Sequence, residues 1–119
     1  MDISIKKDLA SNWFKLLQNA ICDDILKIEK NNVNFESTSW KRSSKKDEGG
    51  GEYRILKNGK IFEKVGVNFS KVYGKFPKQF QKNIPGARKD PRFWASGISL
   101  VMHMQNPYIP AMHFNTRFI

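Results

Sequence analysis

Residues 97–119 read GISLVMHMQNPYIPAMHFNTRFI and carry most of the structural information in this sequence. The segment from Gln105 to Pro110 contains two prolines and reads as a loop, and the residues on either side read as strands. Side chains alternate between the two faces of a strand, so positions two apart share a face. Each strand therefore has one apolar and one polar face. The two polar faces carry Ser99, Val101, His103, His113, Asn115 and Arg117.

Two interpretations of this pattern are open. An antiparallel sheet with one face in water also alternates, and it needs no ligand. Such a face would be expected to carry Lys, Glu and Thr. Here the polar residues are Ser, His, Asn and Arg, and both histidines of the protein fall in this stretch. Converging side chains of these types are typical of ligand sites, so the pattern predicts a site on the polar face.

The residues in this stretch closely resemble the signature of oxygen-dependent coproporphyrinogen-III oxidases. The matching motifs are Ser99-Leu100-Val101-x-His103 and Asn106-Pro107-Tyr108-Ile109-Pro110-Ala111-x-His113-x-Asn115-Thr116-Arg117. Earlier segments resemble the same family in the same order: Ser39-Trp40, Gly49-Gly50-Gly51, Asn58-Gly59-x-Ile61-Phe62-Glu63, and Gly66-Val67-Asn68-Phe69-Ser70 with Val72 and Gly74. Several dense motifs in series are more specific than one isolated glycine pattern.

This resemblance implies a broad antiparallel β-sheet with helices on both sides, working as a homodimer in the cytoplasm. It implies conversion of coproporphyrinogen III to protoporphyrinogen IX in haem biosynthesis. In that reaction two propionate groups lose carbon dioxide and become vinyl groups, and molecular oxygen accepts the electrons. No organic cofactor is implied, and the use of a divalent metal ion is left open.

The resemblance also implies roles for single residues. Ser99, Asn115, Thr116 and Arg117 fall on substrate-binding positions of the family. Arg117 suits a carboxylate, because a guanidinium binds one through two parallel hydrogen bonds. His113 falls on the position of the proton donor, and imidazole exchanges protons near neutral pH. His103 falls on a position assigned to a metal ligand, a role that His113 can share.

Members of this family are longer than the present chain. The resemblance therefore predicts an incomplete α+β fold in which residues 1–119 form the N-terminal part of a larger single domain. We expect such a chain to be inactive alone. Two alternatives follow: a half-protein that pairs with a separate C-terminal fragment, or a remnant without catalytic function.

One long helix, one short helix and five strands are predicted along the chain. Residues 5–30 show apolar side chains at three- and four-residue steps, as a helix requires. That stripe comprises Leu9, Trp13, Leu16, Leu17, Ala20, Ile21, Ile25 and Ile28. Strands are predicted at 33–40, 52–57, 60–73, 97–104 and 111–118, with a loop at 41–51 and a short helix within 78–82.

Three details of the ends and turns are also predicted. Ser4 is expected to cap the N-terminus of the helix, and Asn31-Asn32 is expected to end it. Asn58-Gly59 is expected to form a two-residue type I′ turn, because both positions of that turn need positive φ. Trp40 is expected to serve as a packing anchor.

The composition limits the class of protein. With 119 residues the chain suits one domain, and no apolar run approaches the roughly 20 residues of a membrane span. The net charge of +10 comes from residues 41–95, which hold 15 Lys and Arg against 5 Asp and Glu. These basic residues scatter through loops, so a nucleic-acid-binding module is disfavoured. The single Cys22 excludes an internal disulfide and suits a reducing cytoplasm, and we expect a small buried or half-buried side chain there, not a nucleophile.

Overall fold

A computed structural model describes residues 2–30 and 32–119. Its elements are α1 (Ile3–Glu29), β1 (Glu36–Lys41), β2 (Gly49–Lys57), β3 (Phe62–Lys75), α2 (Lys78–Gln81), β4 (Arg92–Met104) and β5 (Met112–Phe118). The strands form one antiparallel sheet in the order β1-β2-β3-β4-β5. The predicted α+β class with an antiparallel sheet is confirmed.

The ends of α1 differ from the prediction. Its N-cap is Asp2, because the Asp2 carboxylate accepts hydrogen bonds from the Ser4 backbone N–H (3.3 Å) and hydroxyl (2.9 Å). Ser4, the predicted cap, therefore lies within the first turn. At the other end Lys30 adopts φ 56° and its N–H donates to the Leu26 carbonyl. Asn31, which was expected to end the helix with Asn32, lies outside the described residues.

Two strands begin earlier than predicted. β2 starts at Gly49, so the three glycines assigned to a loop belong to the strand, and β4 starts at Arg92 instead of residue 97. The glycines are needed where neighbouring groups approach closely: a Cβ on Gly51 would lie 2.7 Å from the Trp40 indole. The other three predicted strands start one to three residues later than expected.

The hydrophobic core lies between α1 and one face of the sheet, where α1 packs on β3 and β4. The buried apolar residues of this core are Phe14, Cys22, Ile25, Leu56, Phe62, Val65, Val67, Ile98 and Leu100. In β3 and β4 these residues alternate with side chains that point away from α1. We call the sheet surface opposite α1 the open face.

The buried face of α1 overlaps the predicted stripe only in part: Ile25 is buried, and Leu17 and Ile21 pack against the core. Leu9, Trp13 and Leu16 are more than half exposed. The side facing the sheet consists of Ser11, Phe14, Gln18, Cys22, Ile25 and Glu29. Its polar groups have partners, as buried polar groups require; the Gln18 amide, for example, donates to the Glu52 and Val67 carbonyls at 2.9 and 3.1 Å. Hydrophobic periodicity alone could not identify the polar residues of this face, because these partners lie far away in sequence.

The β2–β3 turn is also not the predicted type. Lys57 pairs with Lys64, so six residues lie between the paired positions, and only Asn58 of the Asn58-Gly59 pair has positive φ. The loop is organised by the buried Glu29 carboxylate of α1. This carboxylate accepts hydrogen bonds from the backbone N–H groups of Lys60, Ile61 (3.0 Å) and Phe62 (3.0 Å). A tertiary contact has therefore replaced the local turn.

Glu52 in β2 links α1 to the sheet edge and makes stability sensitive to acid. Hydrogen bonding from Lys15 lowers the pKa of Glu52 from 4.5 to about 2, with further bonds from Ser37 and Arg54. A depressed folded-state pKa stabilises the fold above pH 4.5, and that contribution is lost as the pH falls toward 2.

At pH 6 we therefore expect the free energy of unfolding of the wild type to be about 1 kcal/mol higher than that of Glu52→Gln. This difference should vanish as the pH approaches 2. Urea denaturation between these pH values measures it. A difference independent of pH would show that the carboxylate charge is not responsible.

Candidate functional site

Three polar side chains line up across the open face at the centre of the sheet. Ser99 in β4 lies directly opposite Asn115 in β5 and directly opposite Asn68 in β3. Directly opposed residues have Cβ atoms roughly 5 Å apart, so these side chains can contact the same ligand group. The sequence predicted that Ser99 and Asn115 share a face, and the register places them so.

Arg117 lies next to this row, opposite Gly97. A Cβ on Gly97 would lie 2.8 Å from the Arg117 Cβ, so glycine is what lets the arginine sit close to the sheet. A shallow cavity of about 80 Å³ opens here. It is lined by Asn68, Ser70, Gly97, Ile98, Ser99, Asn115, Thr116 and Arg117. A space of this size suits one small polar or anionic group, not an entire large ligand.

The polar groups in this cavity are available for a ligand. Within residues 2–30 and 32–119, the side chains of Ser99, Asn115 and Arg117 make no hydrogen bond or ion pair with the rest of the protein. Asn68 uses its carbonyl oxygen to accept a hydrogen bond from Trp40 Nε1 at 3.1 Å. A guanidinium carries five donors and is always charged, so Arg117 supplies the positive potential of the cavity.

Thr116 differs from the other predicted binding residues. It lies opposite Ile98, a core residue, so its side chain points to the α1 side of the sheet. Its side chain is therefore on the wrong face to join Asn115 and Arg117. Only the Thr116 backbone lines the cavity from the open face.

Both histidines lie on the open face toward the β4–β5 loop, as expected. His113 is opposite Val101, and His103 follows Val101 by two residues on the same face, so the two are diagonal neighbours. Diagonal neighbours are roughly 7–8 Å apart. Both side chains are exposed. The loop beyond them is held by Gln105, whose N–H donates to the Ile61 carbonyl at 2.9 Å.

The metal-binding side chains in the described part of the chain do not form a metal site. Among the described residues, no group of three or more His, Cys, Asp or Glu side chains converges. A metal site in a protein normally takes three or four protein ligands, and His103 and His113 provide two. We therefore derive no step of chemistry through a metal ion at these residues.

Trp40 belongs to the surroundings of the site, beyond the packing role predicted from the sequence. It pairs with Gly51, lies against that glycine and reaches across β2 to Asn68. Its hydrogen bond fixes which end of the Asn68 amide faces the cavity, with the NH₂ group left for a ligand. The triple glycine was the available signal, because glycine in a strand often marks a close approach.

A match to a known family identifies the family of this chain. Residues 10–119 match the family described as Coproporphyrinogen III oxidase. The chain belongs to this family. This match confirms the resemblance drawn from residues 97–119 and from the earlier motifs.

Curated relatives agree with this assignment. The chain is 47% identical over 121 residues to the oxygen-dependent coproporphyrinogen-III oxidase of Rickettsia felis. It is 46% identical to the proteins of the same name from Rickettsia akari and Rickettsia bellii (strain RML369-C). Each alignment covers 95% of this chain but 42% of the relative, so the chain spans about two fifths of the length of these relatives.

Neither helix in the described ranges combines the length and the apolar character that crossing a bilayer would require.

Proposed function

We propose that the open face of this chain binds coproporphyrinogen III and contributes to its oxidative decarboxylation to protoporphyrinogen IX, in the cytoplasm. The observation that carries this proposal is the cavity in which Arg117, Ser99 and Asn115 are held together and have no partner in the described part of the chain. Membership of the coproporphyrinogen III oxidase family supports it. The relatives' names support molecular oxygen as the second substrate.

The chemistry of the substrate fits these groups. Coproporphyrinogen III carries four propionates around an apolar macrocycle. Arg117 binds one propionate through a charge-assisted pair of hydrogen bonds. Ser99, the Asn115 amide and the backbone at Thr116 bind its remaining lone pairs. The Asn68 NH₂ group adds a further donor from β3.

The reaction balance explains the need for a proton donor. Each propionate anion takes up one proton and one molecule of oxygen, and yields a vinyl group, carbon dioxide and hydrogen peroxide. The carboxylate carbon leaves as carbon dioxide, and oxygen accepts two electrons. His113 is the group on this face that can deliver the proton, because imidazole exchanges protons near neutral pH. His103 lies next to His113 and can pass a proton to it or resupply it after the transfer.

The direct test of binding uses the whole chain under anaerobic conditions. Coproporphyrinogen III is titrated while tryptophan fluorescence is recorded, because Trp40 lies beside the site. We expect saturable binding that competes with coproporphyrin III, and no turnover under air by the chain alone. Absence of saturable binding would contradict the proposed site, and measurable turnover would contradict the expected inactivity of the isolated chain.

A second candidate function is that of a half-protein that pairs with a separate C-terminal polypeptide and, through it, with a second copy in a homodimer. This candidate is favoured by β5, an edge strand of the sheet with exposed Met112 and Phe114. An apolar edge of this kind favours pairing with another strand. The match covers 42% of the Rickettsia felis relative, so the rest of that relative is long enough to contain such a strand.

Mixing the chain with the part of the Rickettsia felis relative that lies beyond the matched region tests this candidate. We expect a 1:1 complex by size-exclusion chromatography and oxygen-dependent loss of coproporphyrinogen. Separate elution of the two polypeptides would favour a remnant without catalytic function.

A further inference from the structure

A second arginine, Arg42, lies on the open face. It follows β1, and its side chain crosses to β3 and β4. A Cβ on Gly74 would lie 2.8 Å from Arg42 Nη1, and the guanidinium carbon is 4.7 Å from the centre of the Phe93 ring. Gly74 and Phe93 are directly opposed, and both point away from α1. Gly74 therefore accommodates Arg42 as Gly97 accommodates Arg117.

The guanidinium of Arg42 is held by one of its three nitrogens. Nη1 donates to the Tyr73 carbonyl at 3.1 Å and pairs with the Glu48 carboxylate at 2.9 Å. Within the described residues, Nε and Nη2 have no hydrogen-bond partner. The Phe93 ring, itself stacked on Phe76 at 4.9 Å, supports the flat side of the group. Arg42 is thus fixed in orientation and keeps one edge for a ligand.

Small side chains cover the open face between Arg42 and Arg117. Gly97 lies four residues after Phe93 along β4, which corresponds to about 13 Å. The open-face positions between them hold small side chains, with Ala95 opposite Val72 and Gly97 opposite Ser70. A macrocyclic ligand can therefore lie across β3 and β4 and reach a guanidinium at each end.

We propose that Arg42 binds a second carboxylate of the ligand whose first carboxylate is bound by Arg117. This inference rests on the proposed function, because it takes the ligand to be a tetrapyrrole macrocycle with carboxylates on opposite edges. Glu48 then partly neutralises the Arg42 charge from the Nη1 side and repels a carboxylate bound at the Nε–Nη2 edge. This repulsion is small, since the Arg42–Glu48 pair is partly exposed and such pairs are weak.

The experiment compares two porphyrin probes on the whole chain. Coproporphyrin III has four carboxylates around the ring, whereas mesoporphyrin IX has two, both on one edge, so its carboxylates cannot bind at opposite edges of the ring. We expect Arg42→Gln to weaken coproporphyrin III binding about 10-fold and mesoporphyrin IX binding less than 2-fold. Arg92→Gln is the matched control, because Arg92 is exposed and paired with Asp90; it should change neither.

Glu48→Gln gives an independent arm that does not remove Arg42. If Glu48 repels the ligand carboxylate, this variant should tighten coproporphyrin III binding about 3-fold. A purely structural role for the Arg42–Glu48 pair predicts equal or weaker binding instead. Equal losses for both probes in Arg42→Gln, or unchanged binding in both variants while Arg117→Gln weakens it, would overturn the inference alone. Unchanged binding in Arg117→Gln as well would overturn the proposed function.

Discussion

Glu29→Ala is expected to lower the free energy of unfolding by about 3 kcal/mol. Glu29 is 2% exposed, and its carboxylate accepts hydrogen bonds from three consecutive backbone N–H groups in the β2–β3 loop. Removing the carboxylate leaves buried donors without their acceptor, which costs about 1–3 kcal/mol per group and more for charged partners. Urea denaturation at pH 7 measures the change.

Two variants make this prediction specific. Glu29→Gln retains one acceptor oxygen, so we expect a loss about half as large. Glu63→Ala removes an exposed carboxylate near the same loop and should stay within about 0.5 kcal/mol of wild type. A Glu29→Ala protein as stable as wild type would mean that the loop satisfies its backbone groups in another way. A substitution at Gly59 tests the same contact between Glu29 and the loop, because a Cβ there would lie 2.6 Å from the Glu29 carboxylate.

Arg117→Gln is expected to weaken coproporphyrinogen III binding about 30-fold, or about 2 kcal/mol. The arginine supplies the charge of the cavity, and glutamine of similar length keeps a hydrogen-bond donor but not the charge. Arg117→Lys should lose about half as much, because an ammonium keeps the charge without the two-pronged geometry. Anaerobic fluorescence titration measures both.

The stability of these variants should not change, since the Arg117 side chain is exposed and makes no ion pair in the described part of the chain. Arg88→Gln removes an equal charge from an exposed position outside the site and serves as the control. If Arg117→Gln binds as tightly as wild type and remains folded, Arg117 does not contact the substrate. The midpoint of thermal unfolding distinguishes the loss of a substrate contact from a loss of binding caused by unfolding.

The sheet face that carries the site could be predicted from sequence, because alternation is a property of the strand itself. Ser99 shares a face with His103, and His113 with Asn115, because extended backbone turns successive side chains to opposite sides. The β4–β5 register then joins the two pairs on one face. The family motifs then supplied their roles. The same reasoning assigned Thr116 to the opposite face, where its side chain is found.

The buried face of α1 could be predicted only in part, through Leu17, Ile21 and Ile25. Leu9, Trp13 and Leu16 form an apolar stripe, yet the helix turns Gln18 and Glu29 toward the sheet. Their burial is favourable only because carbonyls of β2 and β3 and N–H groups of the β2–β3 loop accept or donate to them. Those partners are more than 30 residues away, and a periodicity calculation considers none of them.

The sequence alone therefore determined the antiparallel strands, the polar face and the family, because each is encoded within short segments by alternation and motif. The tertiary structure decided which face of α1 is buried, why Asn58-Gly59 does not form a two-residue turn, and that Arg42 and Trp40 reach the open face. Each of these depends on contacts between residues far apart in the chain. Only the folded sheet brings such residues together and determines which hydrogen bonds they can make.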